Sequence, residues 1–181
     1  NGACKSFIDY TPHELTRCYI AGVNADMPGR FTAMGDVPRV VLPGGVNFIG
    51  MGQADLMPEA YGARPHYSHS PLFTHVQCTA DEVEKCADIL GVALAKATAP
   101  TRVLLPMGGF SSEDKPGGAI ESRALREVFR DVIAAHLDVA CLDGHINDPA
   151  TAHAAVDALR EITKDYCPCS TLPISKPRKT L

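Results

Sequence analysis

The strongest constraint on the fold is a set of short, apolar, β-branched runs that each stop at a turn residue. Residues 39–42 and 102–105 end at Pro43 and Pro106, and residues 139–142 form a third run of this kind. Strands that are apolar at successive positions are buried on both faces, which is typical of a parallel sheet covered by helices. The sequence therefore predicts an α/β fold.

Helix-start signals lie between these runs. Thr79 and Glu82 have the spacing of a capping box, which predicts a helix over residues 80–97. Thr11 and Glu14 have the same spacing, and a proline occupies the first helical position between them. Further helices are predicted over residues 121–136 and 149–163.

Alternating strands and helices, without a tight hairpin signal, predict a doubly wound, Rossmann-like domain in three layers. We expect a mainly parallel sheet of about five strands, with additional strands over residues 6–10 and 73–78. Residues 1–164 are expected to form this single domain and residues 165–181 a tail. Residues 46–72 show no periodicity, and so long a loop in a compact domain is expected to be functional or a lid.

Charge, cysteine content and hydropathy indicate which partners and which cellular setting to expect. The chain has 17 Lys and Arg against 21 Asp and Glu, a net charge of −4, which argues against nucleic acid as a partner. Seven cysteines, an odd number, favour free thiols over a disulfide framework, and hence a reducing, cytoplasmic setting. No apolar run approaches the length of a membrane span, so no membrane association is expected.

Three polar, glycine-bearing segments follow predicted strands: residues 43–47, 107–112 and 143–148. Parallel strands end at one edge of a sheet, so these segments should converge on a ligand site there. Paired glycines let backbone amides approach an anion, and serine hydroxyls add donors, although glycine after a strand is also ordinary turn chemistry. The predicted ligand contacts are Gly44, Gly45, Gly108, Gly109, Ser111 and Ser112.

His145 and Asp148 are the candidate catalytic residues. His145 follows a strand end and precedes a helix N-terminus, whose partial positive charge favours a neutral imidazole that could act as a base. A histidine bonded to neighbouring backbone is the alternative. Asp148 precedes Pro149 and is predicted to be the N-cap of the helix that starts there.

Three histidines within ten residues, His66, His69 and His75, invite a metal-site interpretation. Side chains alternate in direction along a strand, and neither an HExxH nor a His-x-His pair is present. No metal ligand is therefore predicted.

Several segments, taken in order along the chain, resemble those of a known family. The resemblance is carried by residues 11–15 (Thr-Pro-His-Glu-Leu), 43–45 (Pro-Gly-Gly), 69–71 (His-Ser-Pro), 103–118 and 145–149 (His-Ile-Asn-Asp-Pro). Together they are similar to the second, C-terminal half of uncharacterised protein family 0261, the ATP-binding domain family of the tomato mosaic virus resistance protein and its bacterial relatives. The resemblance covers about residues 2–163.

The resemblance implies an ATP-binding domain, with Mg as the accompanying ion and no settled reaction. It also implies a ligand site completed by an N-terminal lobe or by a second subunit in a homodimer. Two other functions remain open: a non-catalytic assembly module whose glycine loops shape an interface, and a small-molecule hydrolase that uses His145 and Asp148.

Overall fold

The computed structural model of the chain describes residues 4–22 and 29–166, and seven strands and five α-helices lie within them. The strands are β1 (Phe7–Asp9), β2 (Arg39–Val41), β3 (Phe48–Met51), β4 (His66–Ser70), β5 (Phe73–Gln77), β6 (Thr101–Pro106) and β7 (Val139–Leu142). The helices are α1 (Glu14–Tyr19), α2 (Glu59–Gly62), α3 (Ala80–Leu94), α4 (Arg123–Ala134) and α5 (Pro149–Thr163). A short 3-10 turn covers Ala54–Leu56.

The main sheet is wholly parallel and has the order β1-β2-β6-β7. It forms because residues 39–42 and 102–105 are apolar at nearly every position, so both faces of the central strands can be buried. Val41 and Val103 face α1, α3 and α4, whereas Val40 and Leu104 face α5. The Rossmann-like, three-layer prediction is confirmed, with four parallel strands in place of about five.

The predicted capping boxes have different outcomes. At α3 the Thr79 hydroxyl accepts from the Glu82 amide while the Glu82 carboxylate accepts from the Thr79 amide, so this box is present. The box predicted at Thr11 does not form: His13 occupies the N-cap position of α1 and makes no side-chain cap bond. The helix starts at Glu14, two residues later than the spacing of Thr11 and Glu14 suggested.

Residues 46–72, expected to be an irregular loop, contain β3 and β4. Together with β5 they form a second, antiparallel sheet of order β3-β5-β4. A tight hairpin joins β4 to β5 through Pro71 and Leu72, and it carries none of the glycine or asparagine that usually marks such a turn. The whole small sheet is inserted between β2 and α3 of the parallel domain.

Two further expectations concern membrane spans and the state of the cysteines. No helix in residues 4–22 and 29–166 is long and apolar enough to cross a membrane. Cys4, Cys78, Cys86 and Cys141 are free thiols, while Cys167 and Cys169 lie outside the described residues. Burial raises the pKa of the Cys78 and Cys86 thiols, so neither is suited to act as a thiolate nucleophile.

Candidate functional site

A cleft of about 940 Å³ lies between the carboxyl edge of the parallel sheet and one face of the small sheet. Its first wall comes from the turns after β1, β2, β6 and β7 together with the start of α1. Its second wall comes from β3, β4 and β5. The three glycine-bearing segments therefore do converge, and the inserted sheet supplies a wall that the sequence did not predict.

The cleft-facing side of the small sheet is covered with rings. Along β5, Thr74 and Val76 are buried away from the cleft, whereas Phe73 and His75 line it, as the two-residue period of a strand requires. The same alternation places other side chains beside them on this face. The ring-bearing residues are Phe48, Tyr67, His69, Phe73 and His75, and we call this surface the ring face.

His75 lies at the centre of the ring face. Its imidazole is stacked between Phe48, at a centroid distance of 4.0 Å, and His69, at 4.9 Å. The Tyr67 hydroxyl lies 2.7 Å from His75 Nδ1. Gly50, on the neighbouring strand, leaves the space in which the Phe73 ring lies, because a Cβ there would be 3.2 Å from that ring. The rings are thus held in fixed positions by one another.

The setting of His75 keeps it neutral. Burial lowers the pKa of this imidazole to about 4, with smaller contributions from His69 and His13, whose positive charge would oppose protonation. Burial, and then the negative charge of Glu113, raise the pKa of the Tyr67 hydroxyl. Both members of the pair are therefore uncharged near neutral pH.

The predicted glycine contacts on the opposite wall have another role. The Gly45 amide donates to Phe110 O at 2.9 Å, and the Gly108 amide donates to Gly144 O at 2.9 Å. The amides of Gly44 and Gly109 likewise donate to main-chain oxygens. Because these four N–H groups already have partners, contact with an anion through them would require breaking bonds that join the loops. The glycines allow close backbone packing.

Ser111 and Ser112 fit the predicted ligand role better. The side-chain amide of Asn47 donates to Ser111 Oγ at 3.1 Å, and that of Asn147 donates to Ser112 Oγ at 3.3 Å. Each hydroxyl oxygen is used as an acceptor, so its own proton remains for another partner. Both serines line the cleft.

His145 joins two loops and is not among the residues that line the cleft. Its Nε2 lies 2.8 Å from Ser111 O, and its Nδ1 accepts from the Asn147 amide at 3.0 Å. Since Nδ1 is an acceptor, Nε2 carries the ring proton and donates it to the carbonyl. Both nitrogens are occupied, which supports the backbone-bonded alternative over the predicted general base.

Asp148 also departs from its predicted role. It is the N-cap residue of α5 by position, but its side chain makes no cap bond to the first turn. Instead its carboxylate accepts from the His145 amide at 2.7 Å. Pro149 at the start of the helix and a hydrogen bond from the Thr151 hydroxyl to His145 O complete this corner. Asp148 thus positions His145.

A buried ion pair that the sequence did not predict fixes the loop after β6. Asp114 and Arg126 pair with side chains only 1% and 4% exposed. The same carboxylate accepts from the amides of Phe110 and Ser122, both at 2.9 Å. Burial raises the pKa of Asp114, while its hydrogen bonds and Arg126 act in the opposite direction. The pair holds Ser111 and Ser112 in place.

Arg17 and Glu113 are charged groups of the cleft, and His13 also lines it. Arg17 is exposed and lines the cleft. Within residues 4–22 and 29–166 there is no group of three or more His, Cys, Asp or Glu side chains that could hold a metal ion. Mg²⁺ usually keeps several waters and binds one or two carboxylates with substrate phosphates, and Glu113 could supply such a carboxylate.

Comparison with known proteins gives one family. The model of the "Uncharacterised protein family (UPF0261) C-terminal domain" matches residues 1–163. A UPF0261 protein of Rhizobium meliloti (strain 1021) is 29% identical over 170 residues, which are 90% of this chain and 43% of the relative. A UPF0261 protein of Clostridium tetani is 26% identical over 88% of this chain and 41% of its own. The ToMV resistance protein Tm-1(GCR237) of Solanum lycopersicum is 26% identical over 90% of this chain and 22% of its own.

Proposed function

Since this chain belongs to the family of UPF0261 C-terminal domains, we propose that its cleft binds a nucleotide, ATP foremost, as one part of a larger ligand site. The observation that carries the proposal is the pairing of two unlike walls. The ring face offers stacking surfaces, and the facing loops offer the Ser111 and Ser112 hydroxyls. A molecule with a flat ring at one end and oxygens at the other fits both.

The size and position of the cleft agree with such a ligand. Its volume of about 940 Å³ lies within the range of roughly 300–1,000 Å³ usual for small-molecule and cofactor sites. Ligands of doubly wound folds bind beyond the carboxyl ends of the parallel strands, where this cleft lies.

The ligand would lie with its base against the ring face and its phosphates toward the loops. Phe73 is 51% exposed in the described residues, so its ring is open to a stacking partner. Arg17 would supply the positive charge that phosphates require, and Glu113 would supply a carboxylate ligand to Mg²⁺.

Another chain segment would complete the site. This chain spans about two fifths of the length of the bacterial relatives it matches, and 22% of the tomato protein. An N-terminal lobe, or a second copy in a homodimer, would cover the open side of the cleft and supply further phosphate contacts.

A second candidate function is a non-catalytic assembly module. Leu56 and Leu72 are 76% and 65% exposed, and both belong to the inserted segment between β2 and α3. These two side chains are the apolar groups that such a module would offer to a partner. The hydrolase hypothesis has no such support, because both ring nitrogens of His145 are occupied.

Isothermal titration calorimetry with ATP, ADP and inorganic phosphate, each with and without Mg²⁺, tests the proposal on this chain and on the full-length Rhizobium meliloti relative. We expect ATP and ADP to bind both proteins more tightly than phosphate does, and the longer protein to bind ATP more tightly. If neither protein binds a nucleotide, the proposal is wrong and the assembly function is favoured.

A further inference from the structure

Tyr67 and His75 form a hydrogen-bonded pair in the cleft. They are direct cross-strand partners on β4 and β5, and the hydroxyl of one lies 2.7 Å from Nδ1 of the other. The imidazole cannot tilt away from the phenol, because Phe48 and His69 cover its two faces. Its second nitrogen, Nε2, has no hydrogen-bond partner among the described residues, and His75 lines the cleft.

The hydrogen bond between Tyr67 and His75 can form with either tautomer of the imidazole. Since a phenol is the stronger donor and a neutral imidazole nitrogen the stronger acceptor, we take the Tyr67 hydroxyl to donate to His75 Nδ1. An imidazole that accepts at Nδ1 carries its own proton at Nε2 when it is neutral. The Nε2–H group then lies free at the cleft wall.

The groups around His75 oppose a second proton. His69 is stacked on it, and His13 reaches the cleft from the start of α1, so neighbouring positive charge would repel an imidazolium. Glu113 interacts electrostatically with Tyr67, and its charge favours the protonated phenol. The donor is therefore a neutral N–H.

We infer that Tyr67 and His75 are a recognition pair, in which His75 Nε2–H donates a hydrogen bond to an uncharged acceptor on the ring of the bound ligand. The inference rests on the proposed function and deepens it by naming the part of the ligand that is read. A neutral donor lacks the net charge by which Arg17 attracts phosphate oxygens, so it is suited to a ring nitrogen or carbonyl. Nucleobases carry such neutral acceptors on their edges.

This arrangement also discriminates between ligands. A ligand that fills the cleft without an acceptor opposite Nε2 would leave a desolvated N–H unpaired. Such an unpaired group lowers affinity more than the corresponding hydrogen bond would raise it. The pair thus selects against flat apolar molecules that the rings alone would accept. In this role Tyr67 is a positioning residue and His75 is a binding residue.

Two measurements test the inference. Long-range ¹H–¹⁵N NMR on the ligand-free protein at pH 7 reports which nitrogen of His75 is protonated. Calorimetry with ATP compares wild type with His75→Phe, which keeps a ring in the stack but removes the donor. His66→Phe is the matched control, because His66 is exposed on β4 and is not among the cleft residues. We expect a protonated Nε2, an affinity about tenfold lower for His75→Phe, and little change for His66→Phe.

A protonated Nδ1, an imidazolium at pH 7, or His75→Phe binding ATP as wild type does would overturn the inference. If His75→Phe does not fold, Tyr67→Phe is used, since it removes only the hydroxyl. That variant should shift His75 toward the Nδ1–H form and weaken ATP binding, and an unchanged tautomer contradicts the inference. If wild type binds no nucleotide, the proposed function fails, whereas the NMR spectrum still decides whether His75 is a neutral Nε2 donor.

Discussion

The Nε2 atom of His145 lies 2.8 Å from the main-chain oxygen of Ser111, 34 residues earlier in the chain. Its other ring nitrogen accepts from the Asn147 amide. One imidazole therefore joins the loop after β6 to the loop after β7, and both loops belong to the first wall of the cleft.

From this contact we predict that His145→Ala lowers the free energy of unfolding by about 1–3 kcal/mol, because one partly buried and one exposed hydrogen bond are lost. Urea denaturation followed by circular dichroism measures the change. His153→Ala, an exposed position on α5, is the control and should stay within about 0.5 kcal/mol of wild type. Equal stability of the two variants would refute the loop-joining role.

Gly109→Ala should be more damaging. This residue has φ of +148°, and a Cβ there would overlap Asp114 O and the His145 ring. We expect a loss of about 3 kcal/mol or more, or no folded protein. Gly62→Ala serves as control, since no atom lies within 4 Å of its added Cβ, and thermal unfolding should show a change within about 1 kcal/mol.

Removing one partner of the buried ion pair should also destabilise the domain. Arg126→Met leaves the Asp114 carboxylate buried without its cation, and we expect a loss of about 3–5 kcal/mol. Arg123→Met on the same helix removes an ion pair whose arginine is 79% exposed and should cost less than about 1 kcal/mol. Chemical denaturation of both variants under one buffer condition makes the comparison.

The lowered pKa of His75 predicts a pH dependence. The unfolded imidazole takes up a proton as the pH falls through about 6.5, but the folded one does so only near about 4. Because the unfolded state binds more protons in this window, the free energy of unfolding should fall as the pH falls across it. Denaturation between pH 7 and 4.5 measures the slope. His75→Phe should flatten it, and His153→Phe should not.

Phe73→Ala tests the stacking wall of the proposed nucleotide site. Stacking of a base on an aromatic ring contributes about 1–3 kcal/mol, so ATP affinity should fall by about fivefold or more. Leu72→Ala is the matched control, because Leu72 is adjacent, 65% exposed and not among the cleft residues. Calorimetry should leave Leu72→Ala unchanged, and an equal loss in both variants would count against stacking.

The parallel sheet could be predicted because its signal is local. Residues 103–105 and Val139–Leu142 are apolar at successive positions, and a helix-start signal follows each, so strand identity and direction follow from pattern alone. The capping box at Thr79 could be predicted for the same reason, because it depends only on residues close in sequence. At Thr11 the same spacing failed, since a box requires a backbone geometry that spacing does not fix.

The ring face could not be predicted. On β4, Tyr67 and His69 face the cleft while His66 and Ser68 are exposed, so no apolar alternation distinguishes the strand. The convergence of the glycine-bearing segments could be predicted, whereas the hydrogen bonds of their amides could not, for a similar reason. Sequence shows that Gly108 and Gly109 can approach another backbone, but not whether that backbone belongs to a ligand or to the neighbouring loop.

The inserted antiparallel sheet bears on how the chain folds. Tyr67 and His75 are 8 residues apart, whereas the β2 and β6 residues Arg39 and Thr101 are 62 apart, so closing the hairpin costs far less chain entropy than pairing the central strands. We expect the ring face to form early and the first wall of the cleft, which the parallel strands support, to form last. A small molecule that contacts both walls would then bind only after the rate-limiting step, and its addition would slow unfolding without accelerating folding.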